Sequence, residues 1–178
     1  MILSDKEILL EIQKGNIIIS PFDKNSLGAN SYDVHLSKYL AYYKNDMLDA
    51  KKDNDIVHFT IPIDGFMLEP NKLYLGSTIE YTETHMHVPF LEGKSSTGRL
   101  GIDIHATAGK GDVGFCNHWT LEISCKQPVI IYEGMPIGQL IYYEVKGEVN
   151  VKYSNKTGAK YNVKSHLPVG SMMWRNNW

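Results

Sequence analysis

Glu92-Gly93-Lys94-Ser95-Ser96-Thr97-Gly98-Arg99-Leu100-Gly101 packs two cations, three hydroxyls and three glycines into one short run. Glycines let backbone N–H groups come close to a ligand, and hydroxyl and ammonium groups meet phosphate oxygens. The order Gly-x-x-x-x-Gly-Lys-Ser/Thr of a phosphate loop is absent. Composition therefore leaves two readings open, an anion-binding loop or an ordinary polar turn. Arg99 stands out because sixteen of the eighteen cations are Lys, Arg175 being the other arginine. Its planar guanidinium gives fixed, multi-donor hydrogen bonding that Lys cannot reproduce. A second cluster, His105 to Phe115, sets Lys110 and Asp112 among three glycines, where aspartates commonly serve turns. The third feature is Glu122, within Trp119-Thr120-Leu121-Glu122-Ile123-Ser124. On alternation alone its carboxylate faces outward. Turned into a dry pocket instead, it would have a raised pKa and could carry protons near neutral pH.

Other chemistries find little support. His85 and His87 lie two apart, as do Cys116 and His118, but no Cys-x-x-Cys exists, and no His-x-Glu is paired with Pro-Cys-x-x-Cys. These side chains are expected to be structural or solvated, with no protein-held metal. A Gly-x-Ser-x-Gly elbow is also absent. The formal charge of −2 argues against bulk binding to nucleic acid or an anionic membrane, though not against a small anion met by a few focused cations. Two cysteines, Cys116 and Cys125, make no disulfide framework, and the start carries no basic segment followed by an apolar one. No apolar run approaches the roughly 18 residues of a membrane helix. A cytoplasmic location is expected.

The elements that must position these residues are mostly strands. Ser4 and Glu7 have capping-box spacing ahead of Ile8, Leu9, Leu10 and Ile12, and Gly15 offers a stop, so a short N-terminal helix is expected. Residues 16–20, 31–36, 59–63, 72–78, 101–106, 119–124, 129–132 and 139–143 read as strands separated by turn signals. Many short strands in 178 residues suggest a sandwich or barrel, built as a single domain over 1–178. Residues 152–178 are polar and end in Met172-Met173-Trp174 and Trp178, an aromatic tail expected to dock.

Taken together and in order, these clusters resemble the dCTP deaminase family of the trimeric dUTPase-like superfamily. The matching runs are Gly-Lys-Ser-Ser-Thr-Gly-Arg-Leu-Gly (93–101), Thr-Ala-Gly followed by Asp-x-Gly-Phe (107–115), Thr-Leu-Glu (120–122) and Ile-Gly-Gln-Leu (137–140). Met1-Ile2-Leu3-Ser4-Asp5, Ser31-Tyr32-Asp33-Val34 and Ala159-Lys160-Tyr161 extend the match along nearly the whole chain.

The resemblance implies a mainly β fold, a distorted β-barrel of jelly-roll character. It implies a homotrimer with active sites between subunits, a dCTP substrate carrying Mg²⁺ on its triphosphate, and zinc-independent deamination to dUTP and ammonia. By position, Glu122 would be the general base and proton shuttle. Ser95 and the backbone at Ala108 would hold the water and the leaving amine, and Arg99 would fix Glu122. Lys94, Ser96 and Lys110 would meet phosphates, and Asp112 the deoxyribose 3′-hydroxyl. Tyr153, Lys160, Tyr161 and Lys164 lie on a tail that closes over the nucleotide, and dTTP is a possible inhibitor. Gly109 and Gln139 resemble the branch that also hydrolyses dUTP to dUMP and pyrophosphate, whereas Lys110-Gly111 depart from it. The competing readings are that bifunctional enzyme, a pure dUTPase, and a non-catalytic trimer that binds deoxynucleotides. On the resemblance Glu122 turns from an outward strand residue into an inward acid.

Overall fold

The computed structural model describes residues 1–177. It opens with α1 (Asp5–Gln13), capped as the Ser4–Glu7 spacing predicts: the Ser4 hydroxyl accepts the Glu7 N–H at 3.3 Å. The strands are β1 (Ile17–Ser20), β2 (Tyr32–Tyr43), β3 (Ile56–Thr60), β4 (Phe66–Leu68), β5 (Tyr74–Thr84), β6 (His87–Gly93), β7 (Ile102–Asp103), β8 (Cys116–Cys125), β9 (Val129–Ile131) and β10 (Pro136–Glu144). A one-turn helix, α2 (Ser95–Arg99), sits between β6 and β7.

Eight strands make one sheet in the order β6-β10-β2-β5-β8-β7, with β1 added on β5 and β3 on β2, while β4 and β9 pair apart. The chain leaving β7 then crosses to the other end of the sheet. The Glu122 N–H on β8 donates to Ile104 O at 2.9 Å. A few residues on, Leu91 N–H of β6 donates to Gly109 O at 2.7 Å and Gly111 N–H donates to Pro89 O at 2.8 Å. Residues 104–111 thus bridge the two edges, which curls the sheet into a near-closed barrel and covers ladder groups that would otherwise be exposed edges. The fold is mainly β with one short N-terminal helix, as expected.

Strand limits differ from the sequence expectation where this crossing intervenes. The strand expected over 101–106 ends at Asp103, because the next residues leave β8 for β6. The one expected over 59–63 runs from Ile56 to Thr60 and stops short of Pro62, which has no N–H for a ladder. The run 95–99, read as a loop or turn, is helical.

Ile17, Tyr32, Val34, Leu36, Leu40, Leu121, Ile123, Ile137 and Leu140 fill the barrel and are fully buried. Burying each large aliphatic contributes about 2 kcal/mol. β8 alternates strictly: Leu121, Ile123 and Cys125 face in, while Thr120, Glu122 and Ser124 lie on the half-exposed side. The packing of Leu121 and Ile123 therefore decides where the intervening carboxylate points.

α1 is tied to the barrel by a buried acid. Glu11 accepts from Lys14 Nζ (2.7 Å) and Asn16 Nδ2 (2.8 Å) and pairs with His87 Nε2 of β6 (2.8 Å). Burial pushes its carboxyl up, but the hydrogen bonds from Lys14, His87 and Asn16 outweigh that and hold it at about 2. A carboxyl depressed in the folded state stabilises the fold above the ordinary carboxylate range and loses that contribution as pH falls through its own pKa. Urea unfolding should therefore show stability declining between about pH 4.5 and pH 2 in the native chain. Glu11→Ala should cost about 2–3 kcal/mol at pH 7 and remove this acid-dependent part.

Candidate active site

Glu122 stands on β8 beside a cleft of about 1110 Å³ that is bounded by the 106–112 crossing segment, β8 and the C-terminal tail. The carboxylate is half-buried, and its Oε2 accepts the Ala106 N–H at 2.7 Å. One oxygen is thus anchored while the other is left toward the cleft. Neither the outward strand residue nor the wholly buried acid describes it. The acid sits in a wall.

The crossing segment owes its path to a glycine. A Cβ on Gly109 would lie 2.5 Å from Leu91 O and 3.4 Å from the His105 ring, so any larger residue has to move the backbone away from β6. Lys110 and Asp112 follow, both exposed at the cleft and joined by an ion pair of 2.5 Å. Phe115 packs at a tilt of 47° against Trp119, with ring centroids 4.7 Å apart, and at 51° against Tyr153 at 6.1 Å, which gives the cleft an aromatic floor.

The tail packs over this side of the same chain. It crosses Gly114, where a Cβ would lie 2.7 Å from Lys152 Cβ, and Tyr153 N–H donates to Val113 O at 2.8 Å. Asn117, buried on β8, then clamps three successive turns of the path. Its Nδ2 donates to Tyr161 O and Val163 O (3.2 and 2.9 Å), and its Oδ1 accepts Ser165 N–H at 2.9 Å. Ser77, His58 and Thr120 hold main-chain atoms of His166, Pro168 and Val169. Lys160 and Tyr161 line the cleft, with Lys160 Nζ donating to Asn176 Oδ1 at 2.5 Å and Tyr161 hydroxyl accepting Met172 N–H at 3.1 Å. At the aromatic end, the Arg175 guanidinium lies 5.1 Å from the Trp174 ring, and Trp178 lies outside the described residues.

Of the residues singled out from the sequence, Glu122, Ala108, Lys110, Asp112, Tyr153, Lys160 and Tyr161 are brought to this one cleft. Lys94, Ser95, Ser96, Arg99 and Gln139 form a second group elsewhere. Lys94 pairs with Asp33, and Gln139 lies in register between Asp33 of β2 and Glu92 of β6. Ser95, Ser96 and Arg99 are exposed on α2, and Arg99 Nη1 donates to Ser95 O at 3.1 Å. Within one chain, then, Arg99 does not meet Glu122, whose partner is the Ala106 N–H instead. The guanidinium is exposed.

Lys164 also differs from the expectation of a cleft residue. Its ammonium lies 4.6 Å over the Tyr81 ring and 3.8 Å from Glu83. Nearby, Glu83 accepts from the Tyr81 hydroxyl at 2.7 Å and pairs with His85 Nε2 at 2.8 Å. The Tyr81 hydrogen bond, with help from His85, holds the Glu83 carboxyl below its usual range despite burial, while burial pushes the Cys116 thiol up.

Sequence reasoning missed Ala106, Phe115 and Asn117. Ala106 acts through its backbone, which no side-chain pattern reveals. Asn117 interrupts no motif, although a polar residue in an otherwise apolar half of a strand is a signal that it has a partner.

The chain matches the dCTP deaminase-like family model over residues 2–145. It is 51% identical over 162 residues to a protein of Clostridium beijerinckii named dCTP deaminase, dUMP-forming, covering 89% of this chain and 93% of that one. Proteins of the same name from Cytophaga hutchinsonii and Leptospira biflexa are 49% and 47% identical over 90% and 94% of this chain, and 90% and 95% of theirs. Among solved structures, the 2′-deoxycytidine 5′-triphosphate deaminase of Agrobacterium tumefaciens superposes with a TM-score of 0.64 at 19% identity. That likeness covers 84% of this chain and 50% of the longer one, and it supports the fold alone. With a family model spanning most of its length and a relative 51% identical over 89% of it, the chain belongs to the dCTP deaminase-like family.

Proposed function

We propose that the chain converts dCTP to dUMP in two hydrolytic steps. Water first replaces the 4-amino group, giving dUTP and ammonia. A second water then cleaves between the α- and β-phosphates, giving dUMP and pyrophosphate. The observation that carries the reading is Glu122, a half-buried acid fixed by one backbone N–H at the wall of a cleft with an aromatic floor. Deamination needs a group that takes a proton from water and returns protons to the ring and the leaving amine, and a positioned carboxylate does so. The names of the relatives favour dUMP as the end product over release of dUTP. Gly109, which the backbone of Leu91 requires at that point, accords with the same branch.

The residues divide the work by position. The Ala106 N–H keeps one oxygen of Glu122 fixed, so that the other works on the attacking water. Main-chain groups at Ala108 lie beside it at the cleft. The substrate is the magnesium-complexed triphosphate. Lys110 and Lys160 supply positive charge at the cleft for it, and Asp112 reaches the deoxyribose or, in the second step, the water at the α-phosphate. Residues 152–178 act as the closing tail of one domain spanning the chain. The missing polar partners come from a second copy. Ser95 and Arg99, exposed on α2 with Lys94, Ser96 and Gln139 behind them, complete the Glu122 cleft of a neighbour in a homotrimer. A non-catalytic deoxynucleotide-binding trimer is the reading of another class, and it gives the fixed acid no task.

Three measurements test this. Chromatography of products from dCTP with excess Mg²⁺ and no added zinc should show dUMP and pyrophosphate in equal amounts. Accumulated dUTP would leave only the first step, and unchanged dCTP would leave only binding. Glu122→Gln should lower kcat for deamination by about 10²- to 10⁴-fold while the Kd for the triphosphate shifts by less than about threefold. Finally, Glu122→Gln and Arg99→Ala chains, each inactive alone, should regain activity when unfolded and refolded together. Random mixing rebuilds about one intact site in four if every site takes its acid and its arginine from different subunits. Mixed trimers with no recovery would place both residues in the same subunit's site.

A further inference from the structure

At the far end of β8 from the catalytic wall, three unlike donors converge. Glu83 on β5 and Cys116 on β8 are directly opposite in register, and His85 follows two residues later, its backbone N–H donating to Asn16 O at 2.9 Å. One carboxylate oxygen, one imidazole nitrogen and the Cys116 sulfur all lie within 4.8 Å of one another, at half-buried positions. The His85–Glu83 contact is already 2.8 Å. Two ligands of a tetrahedral zinc-class ion stand roughly 3.3–3.7 Å apart, so rotation about the side-chain bonds of Cys116 and His85 closes the remaining distance.

We propose that Glu83, His85 and Cys116 form a binding site for a zinc-class divalent cation, with a fourth position open to water. The donor set carries the choice of ion. A thiolate and an imidazole with one carboxylate suit Zn²⁺ or Co²⁺, whereas Mg²⁺ and Ca²⁺ demand oxygen ligands throughout. Cys116 enters as the thiolate, with its proton released to solvent. Sequence spacing hides the site because Glu83 and Cys116 come from different strands and meet only through the β5–β8 ladder, with His85 in the bend after β5.

The site is not part of the proposed reaction centre. Cys116 and Glu122 are six residues apart on one extended strand, roughly 20 Å. Its connection is to the tail. The present partners of Glu83 are the Tyr81 hydroxyl, His85 Nε2 and the Lys164 ammonium, and a bound cation competes with Lys164 for that carboxylate. Metal occupancy and the docking of the tail at Lys164 therefore oppose one another, while the β5–β8 pairing is stapled.

Chelator-stripped full-length protein titrated with Co²⁺ should bind one equivalent and develop a thiolate-to-cobalt charge-transfer band in the near ultraviolet. Zn²⁺ should abolish the band, and excess Mg²⁺ should leave it unchanged. Cys116→Ser should remove the band, and His85→Ala should weaken Zn²⁺ binding by about 10- to 100-fold or more, with circular dichroism unchanged in both. Lys164→Gln, which removes the competing charge, should tighten Zn²⁺ by about two- to fivefold. Cobalt bound without a charge-transfer band in the native chain overturns the site, as does Zn²⁺ affinity that is the same in the native chain and Cys116→Ser. Failure to bind either ion at millimolar concentration overturns it as well.

Discussion

A single backbone N–H, that of Ala106, fixes the carboxylate that we propose as the proton carrier. A free glutamate on a strand samples several rotamers, and a base that wanders is a poor one, because proton transfer needs hydrogen-bond distance held in advance. The donor can be in place only because the chain crosses from β7 to the edge of β6, and that crossing is possible only because Gly109 lets the backbone lie against Leu91. The packing of Leu121 and Ile123 on either side of Glu122 sets its direction. Barrel closure and the placement of the acid are thus one structural event. The segment that covers the sheet edge also supplies the anchor.

The same arrangement splits the polar residues of the chain into two groups. The cleft holds an acid, an aromatic floor and lysines, whereas the arginine and the serines stand exposed on α2. Among the described residues, Arg99 hydrogen-bonds only to the Ser95 carbonyl. A guanidinium with most of its donors facing solvent is poorly used as a surface ion and well used against another subunit.

Most of the fold was legible from alternation and turns. β8 and β10 are legible within a few residues, β8 because Leu121 and Ile123 alternate with Thr120, Glu122 and Ser124, and β10 as an apolar run that follows the turn at Gly134. α1 was legible from its cap. The limits failed where tertiary contacts cut across local pattern. Residues 104–106 alternate like a strand but are pulled away to bridge the sheet, and Ser95–Arg99, rich in residues that favour loops, form one helical turn after β6. Of the site, Glu122, Lys110, Asp112, Tyr153, Lys160 and Tyr161 could be named because they stand in recognisable runs. Ala106 could not be, since its contribution is a main-chain hydrogen. The Glu83–His85–Cys116 convergence was invisible for another reason: register between strands far apart in sequence is fixed by the whole sheet, not by spacing.

Besides side-chain contacts such as those of Tyr153 and Lys164, the tail is fastened through its main chain. Asn117, Ser77, His58 and Thr120, all on the barrel, reach carbonyls and N–H groups of residues 161–169 and ignore the side chains there. The groove thus dictates a route without dictating a text. Exchange of a side chain along that ribbon therefore leaves its course in place, whereas loss of any of the four barrel residues removes a fixing point.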